Sequence, residues 1–467
     1  EVLRALGSTG IGAVAVWARA VRAATPPAAR PRVIAIGVRS RGAAIAVGAA
    51  AHAQVVAVCD VDRSMIDSFL GRLAKVQTER PRTYTDYREA LAQEQADAVT
   101  IGTPDHWHAR MVADAVRAGL DVYVEKPLTL TIAEGDALVR RVRESDRVVA
   151  VGTQQRTEYD GIFLKAAAAV RLGWLGHPVR ANIFLPSHYG NKLGPFPTRE
   201  PPQELDWDLW RGPSWAAPYC PERCHGSWRN WLETGNGPAT DWGVHHVDIV
   251  LWSCPDAART EWRIEGEADF PLGREVTCEV LAQRQSFDTL PNKFNVPRNY
   301  RATIRIGDLM HIEIHGCAPQ AGQASRNGIE LAGPEGRIWV SRSGSHHEFQ
   351  SDRVAQLERS PADRRALLDE MDRMCRGRLP VAGGPVGQIG DIIPTSHMAD
   401  FIRCIRERAT PIADVESHHL ANTMCLLALI SMTVARPLKW LPLEHRFGED
   451  CGDAALLLKR HGRAPFA

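Results

Sequence analysis

The stretch between Pro31 and Asp60 constrains the fold of this chain more than any other. It opens on a β-branched apolar run, Arg32-Val-Ile-Ala-Ile-Gly37, and turns through Gly37-Val-Arg-Ser-Arg-Gly42. An alanine-rich segment over 43–51 follows, then a second apolar run, Gln54-Val-Val-Ala-Val-Cys59, which stops at Asp60. Two uninterrupted apolar runs joined by a helical segment predict parallel strands buried on both faces. A glycine turn between strand and helix, with an acid ending the second strand, is the dinucleotide-binding arrangement. Glycine permits the tight turn, the helix N-terminus faces the pyrophosphate, and the carboxylate accepts from ribose hydroxyls. Gly37, Arg39, Ser40, Arg41 and Gly42 are therefore candidate phosphate contacts, with Asp60 at the ribose. One position departs from the pattern: Arg39 stands where the middle glycine is expected, so its side chain must point away or contact phosphate itself. A carboxylate at the ribose repels a 2′-phosphate, so NAD is expected rather than NADP, with Arg63 near enough in sequence to soften the preference.

The alternation continues. A strand over 98–102 leads into Thr103-Pro-Asp-His-Trp-His108 and a helix ending at Gly119, and a strand over 120–124 runs into Glu125-Lys126-Pro127. A helix over 132–145, a strand over 148–151 and Gly152-Thr-Gln-Gln-Arg156 complete the series. Strands alternating with helices of this length predict a doubly wound parallel sheet, and these motifs fall after strand C-termini, where such sheets bind ligands. Only seven of the 56 basic residues are lysines, and Lys126 is one of them. At a strand end beside Pro127 it reads as functional rather than solvated.

The glycine turn at Gly37, the Thr103-Pro104…His108 segment and Glu125-Lys126-Pro127 resemble the glucose–fructose oxidoreductase/inositol dehydrogenase/rhizopine catabolism (Gfo/Idh/MocA) family. So does Gly235-Asn-Gly-Pro-Ala-Thr-Asp241-Trp-Gly-Val-His245-His246, which is similar to that family's glycine-rich DxxxH signature. The resemblance spans about residues 32–435. It implies an N-terminal Rossmann domain followed by an α/β domain with a large open, mainly antiparallel sheet. It also implies Lys126, Asp241 and His245 as a catalytic trio, with Asp60, Thr103, Pro104, His106, His108, Glu125, Lys126 and Gln154 bordering NAD.

The chemistry of the trio can be argued from residue types. Oxidising a secondary alcohol requires loss of the hydroxyl proton as hydride leaves carbon. Asp241 and His245 are four apart, so a helix over 240–252, capped by Thr240, would put both on one face. A histidine oriented by a carboxylate suits acid/base work, and Lys126 can hydrogen-bond the same alcohol. The alternative is a helix whose Asp and His satisfy polar contacts in the core. Arg156, Tyr219, Arg229 and His246 are candidate substrate contacts, His246 and Asp248 being equally suited to helix packing. Cys220, Cys224 and His225 with His246 and Asp248 match no standard zinc spacing, so no metal is expected.

Six tryptophans from Trp207 to Trp242, among Arg211, Arg229 and His188, suit a sugar site; they suit a long insertion pinned by buried indoles equally well. Strands are expected over 178–185, 260–268, 299–306, 310–316 and 328–340, an excursion over 341–393, and helices over 396–408 and 417–435. The 467 residues divide into a leader-like segment (1–30), a dinucleotide-binding domain (31–153), a substrate and oligomerisation domain (154–435) and a tail (436–467). The first segment has an apolar run of secretory length and resembles a twin-arginine leader, which implies export to the periplasm. A net charge of +1 offers no field for nucleic acid, and no run is long enough to span a bilayer. The expected partner is a small carbohydrate or cyclitol, and the expected assembly a homo-oligomer, dimer or tetramer. Two enzymatic functions share the trio. One is net NAD-dependent oxidation of a sugar, glycoside or cyclitol alcohol. The other is a lyase or glycosidase in which retained NAD oxidises transiently, a substituent is eliminated and the ketone is re-reduced. A dinucleotide sensor is the non-enzymatic alternative, disfavoured by the DxxxH beside its glycine-rich turn.

Overall fold

The computed structural model describes residues 30–186, 192–215, 217–316, 327–343, 360–377, 396–464 and 466. The leader expectation rests on residues 1–29, and His188 is one of 187–191; both lie outside the described residues.

The first sheet is wholly parallel. Its strands are β1 (Arg32–Ile36), β2 (Gln54–Cys59), β3 (Arg82–Tyr84), β4 (Ala98–Ile101), β5 (Asp121–Val124) and β6 (Val149–Val151), in the order β3-β2-β1-β4-β5-β6. The order reverses between β1 and β4, which opens a crevice at their C-terminal ends. Helices α1 (Ser40–Ala50), α2 (Arg63–Leu73), α3 (Tyr87–Gln93), α4 (Asp105–Arg117) and α5 (Ile132–Arg143) make the crossovers. The α5 start is built by a capping box in which Thr131 and Glu134 exchange side-chain and backbone hydrogen bonds.

Among the described residues the second sheet has eight strands, β7 (Val179–Phe184), β8 (Trp262–Ala268), β9 (Tyr300–Ile306), β10 (Met310–Gly316), β11 (Gly328–Gly333), β12 (Gly336–Val340), β13 (Leu438–Leu441) and β14 (Arg446–Phe447). Their order is β12-β11-β7-β10-β9-β8-β13-β14, antiparallel except where β7 meets β10. Alternation along β9 buries Ala302, Ile304 and Ile306 and leaves Arg301 and Arg305 outward, so only one face is covered. The remaining helices are α6 (Ile162–Arg171), α7 (Trp207–Arg211), α8 (Pro238–Asp241), α9 (Gly243–Ser253), α10 (Arg274–Leu281), α11 (Pro361–Met374), α12 (His397–Glu407) and α13 (Val415–Val434). The apolar residues of α6, α9 and α13 join the inner face of this sheet in one core. No helix among the described residues is long and apolar enough to cross a membrane.

Two expectations need correction. The strand over 328–340 is a hairpin: Gly333 pairs with Gly336, and Pro334 and Glu335 between them turn the chain from β11 into β12. The helix over 240–252 is two pieces, α8 and α9, joined at Trp242, and Thr240 does not cap it; Gly237 starts α8. Segments from either side of residues 153 and 435 also pack together. Met398, Phe401 and Ile402 of α12 pack on Val33, Ile45 and Tyr123 of the first domain. The tail supplies β13 and β14 and ends with Phe466 edge-on to Trp107, at 5.7 Å. Apolar stripes find partners by shape, and chain order does not restrict which layer they cover.

Candidate active site

Two adjoining clefts meet above the C-terminal ends of β1, β4 and β5. The first is bordered by Gly37, Arg39, Ser40, Arg41, Asp60, Asp62, Thr103, Pro104 and Trp107 from the first domain. Trp210, His225, Trp228 and Arg229 close it from the second. Glycine is required here by contact as well as by dihedral. Gly37 has φ +72°, and a Cβ on Gly42 would lie 1.9 Å from the Gly37 carbonyl oxygen; one on Gly102 would lie 2.4 Å from the Gly42 Cα. The turn, α1 and the end of β4 are thus packed backbone on backbone.

Arg39 resolves the departure from the glycine pattern. Its backbone is extended (φ −92°), a conformation open to any residue, and no side chain caps α1. Its guanidinium donates to the His225 carbonyl, reaching across the cleft to the second domain. Ser40 carries the positive φ instead, at +41°. Asp60 accepts from the Val38 amide at 2.8 Å and the Asp62 amide at 3.0 Å, bracing the turn it faces. Burial pushes its carboxyl up to about 6. Asp62 caps α2 and holds His225 Nε2 at 3.2 Å.

The second cleft is lined by Arg41, Gly102, Thr103, Asp105, Glu125, Lys126, Gln154, Gly226, Ser227, Arg229, Asp241, Trp242, His245 and Arg342. Lys126 follows β5 on a cis Lys126–Pro127 peptide. Its ammonium donates to Asp241 twice, to Oδ1 at 2.5 Å and to the carbonyl at 2.7 Å. Arg229 Nε sits 3.2 Å from the other carboxylate oxygen. His245, one turn on from Asp241, is buried, and its Nδ1 has no hydrogen-bond partner. Burial, then the nearby Lys126 charge, pushes its pKa well below the ordinary histidine value, so the ring is a neutral proton acceptor. Below the trio, Gln154 Nε2 donates to Glu125 at 2.8 Å and to the Tyr123 hydroxyl at 3.1 Å, and Arg41 Nε pairs with Glu125 at 3.1 Å.

Other expected site residues lie behind this surface. His108 links the Pro127 carbonyl (2.7 Å) to the Thr103 carbonyl (2.9 Å), which positions Lys126 without lining either cleft. His106 is buried against the Trp210 carbonyl. Arg156 forms a sealed two-point pair with Asp248, at 2.7 and 2.6 Å, and donates to the Ile412 carbonyl. His246 is buried with Nε2 2.9 Å from Asn327. Tyr219 packs edge-on to Trp207, away from both clefts. Arg229 therefore reaches the trio, whereas Arg156, Tyr219 and His246 are packing groups, because their polar atoms or rings are committed elsewhere. The tryptophans divide likewise: Trp242 lines the second cleft, Trp210 and Trp228 the first, and Trp231 is buried under Arg223 at 3.7 Å. Arg211 pairs with Asp208. Cys220, Cys224, His225, His246 and Asp248 are not gathered around one point: Asp248 is held by Arg156, His225 by Asp62 and His246 by Asn327.

Sequence reasoning passed over two residues of the second cleft. Asp105, immediately after Thr103-Pro104, is buried with Oδ2 unpartnered; burial and then the Asp241 charge push its carboxyl well up. Arg342, whose guanidinium lies 4.7 Å from the Trp242 ring centre, comes from the far end of β12 and has no local signal.

These features fit a dinucleotide: a glycine-built turn before an uncapped helix start, a strand-end carboxylate and a neighbouring cleft with orphaned buried polar atoms. Residues 32–153 match the profile described as an oxidoreductase family with an NAD-binding Rossmann fold, and residues 167–270 match that family's C-terminal alpha/beta domain. The WlbA dehydrogenase from Bordetella pertussis, solved with NADH and UDP-GlcNAcA, superposes with a TM-score of 0.57 at 16% identity, over 87% of this chain and 96% of that one. Myo-inositol 2-dehydrogenase from Lactobacillus plantarum gives 0.55 at 16% identity, over 87% and 98%. An alpha-N-acetylgalactosaminidase from Shewanella oneidensis is 35% identical over 85 residues, 17% of this chain and 18% of that protein. The match thus spans under a fifth of this curated relative's length. Two consecutive domain matches, the shared fold and the motif residues at the strand ends lead to one conclusion: the chain belongs to the Gfo/Idh/MocA oxidoreductase family and has its NAD-binding Rossmann domain.

Proposed function

We propose that this protein oxidises a secondary alcohol of a sugar, glycoside or cyclitol in an NAD-dependent reaction. The observation that carries the reading is the convergence of Lys126, Asp241, Arg229 and His245, whose Nδ1 has no hydrogen-bond partner, in one cleft beside the glycine-built turn. Gly37, Ser40, Arg41, Gly42, Asp60 and Thr103 would hold NAD, which supplies the hydride acceptor when bound. His245 is kept neutral by its surroundings and takes the hydroxyl proton. Lys126 hydrogen-bonds the oxygen that gains charge, and Asp241 with Arg229 fixes the ammonium in place. His108 holds the Lys126–Pro127 segment against the Thr103 turn. Cations at Arg41, Lys126, Arg229 and Arg342 and acids at Asp105, Glu125 and Asp241 give the cleft many hydrogen-bonding groups, as a polyhydroxylated substrate requires.

Replacing Lys126 or His245 by Ala tests this. Turnover should fall by about 10²–10⁴-fold, the usual worth of a placed acid/base group, with NAD affinity little changed. Full activity in either variant would overturn the assignment. A second reading, glycoside cleavage with retained NAD, is favoured by the relatives described as glycosyl hydrolase family 109 proteins, matched over 85 residues. The same proton-moving groups would serve it. Net NADH accumulation during turnover supports the dehydrogenase, and cleavage without net NADH supports the second reading.

A further inference from the structure

A cluster of metal-ligand side chains lies outside both clefts, where α5, α13 and the turn between β13 and β14 meet. Asp136 Oδ1 is 2.9 Å from His419 Nε2 and 2.8 Å from His445 Nδ1. The ligand atoms of all three residues lie within 4.8 Å of one another. The two imidazoles are stacked, with ring centres 5.6 Å apart and planes inclined by 16°.

The backbone has been shaped to bring these groups together. Gly135 sits inside α5, where glycine costs about 1 kcal/mol relative to alanine. A Cβ there would lie 2.1 Å from His419 Nδ1, so the helix accommodates the ring only with glycine. His445 takes φ +49°, a strained conformation for a non-glycine residue, in a turn whose side chain then reaches Asp136. His419 Nδ1 lies 3.5 Å from Thr423 Oγ1. That contact leaves Nε2 toward the carboxylate.

We propose that Asp136, His419 and His445 form a binding site for a divalent transition-metal ion of the zinc type. Two imidazole nitrogens and a carboxylate oxygen are the donors such borderline ions take, and three protein ligands leave a fourth position for water. His419 is buried, whereas the His445 side chain is 44% exposed, so the ion has a path from solvent. Bonds of about 2.0–2.2 Å would require the ligand atoms to spread by a few tenths of an ångström. The turn carrying His445 can supply that movement. Because the three ligands come from the first domain, the long helix of the second and the tail hairpin, the ion acts as a clamp among them. It is separate from the proposed chemistry, since none of the three residues lines either cleft.

The test uses full-length, untagged protein titrated with Zn²⁺ against a chromophoric chelator, and with Co²⁺ for its tetrahedral visible bands. One equivalent should bind, and the melting temperature should rise with Zn²⁺. Loss of even an outer-shell partner costs about 10–100-fold in metal affinity; His445→Ala, which removes a ligand from an exposed turn, should weaken Zn²⁺ at least that much and abolish the Co²⁺ bands. Asp136→Asn should do likewise, and NAD binding should be unchanged in both variants, showing that they are folded. Failure to bind Zn²⁺ saturably, or equal binding by His445→Ala, would overturn the site and leave a hydrogen-bonded Asp–His–His cluster.

Discussion

Two buried acid–cation pairs lie seven residues apart along α8 and α9, and they differ in what is left over. Asp248 meets Arg156 at two points, the third guanidinium nitrogen goes to the Ile412 carbonyl, and the side chains are 0% and 4% exposed. Asp241 meets Lys126 and Arg229 at the rim of a cleft, beside an imidazole nitrogen with no partner. In sequence each is an acid near a histidine on an apolar helix. In space the first is a saturated strut, whereas beside the second a buried imidazole nitrogen of a cleft-lining histidine lies unpartnered. A site is recognised by that unused capacity, because buried polar groups are otherwise paired.

The largest effect that could break this comparison is on turnover. The Lys126→Ala and His245→Ala losses of about 10²–10⁴-fold should come with a modest change in unfolding free energy, since Asp241 keeps Arg229. Next comes stability. Arg156→Ala strands Asp248 without a counter-charge and should cost about 3–5 kcal/mol in denaturant unfolding, as breaking a buried pair does. If Lys126→Ala proved the more destabilising, the two pairs would have been assigned the wrong way round.

A smaller effect concerns pH. Asp60 titrates near 6 in the free protein. It must be ionised to accept from ribose while it also receives two backbone amides. NAD should therefore bind more weakly as pH falls; near pH 5 only about a tenth of the protein is ionised there, a loss of about tenfold relative to pH 7. Calorimetric titration across that range would check it, and Asp60→Asn should flatten the profile. A flat profile in the unmodified protein would show that Asp60 does not hold the ribose. The smallest effect belongs to Arg39→Gly. An exposed polar contact is worth about 0–1 kcal/mol, so NAD affinity should change by less than about tenfold. A larger loss would mean that the Arg39–His225 link holds the cleft closed on the dinucleotide.

What could be read from the chain alone follows from short-range physics. Runs such as Val33-Ile-Ala-Ile36 and Val55-Val-Ala-Val58 must be buried on both faces, which specifies a parallel sheet. The glycine turn and Lys126 then sit at strand ends, where such sheets bind ligands. Asp241 and His245 were likewise legible as neighbours one helical turn apart. Within that local frame, however, His245 and His246 are equivalent, and only packing decided that the first lines the cleft with an unpartnered nitrogen while the second bonds Asn327. The assignment of α12 to the first sheet, the return of the tail to Trp107, the arrival of Arg342 beside Trp242 and the meeting of Asp136 with His419 were decided by tertiary structure as well. Asp136 and His419 are 283 residues apart. Contacts of that range leave no periodicity in a sequence window; they arise when apolar faces formed independently find complementary shapes, and the polar groups carried with them are then brought face to face.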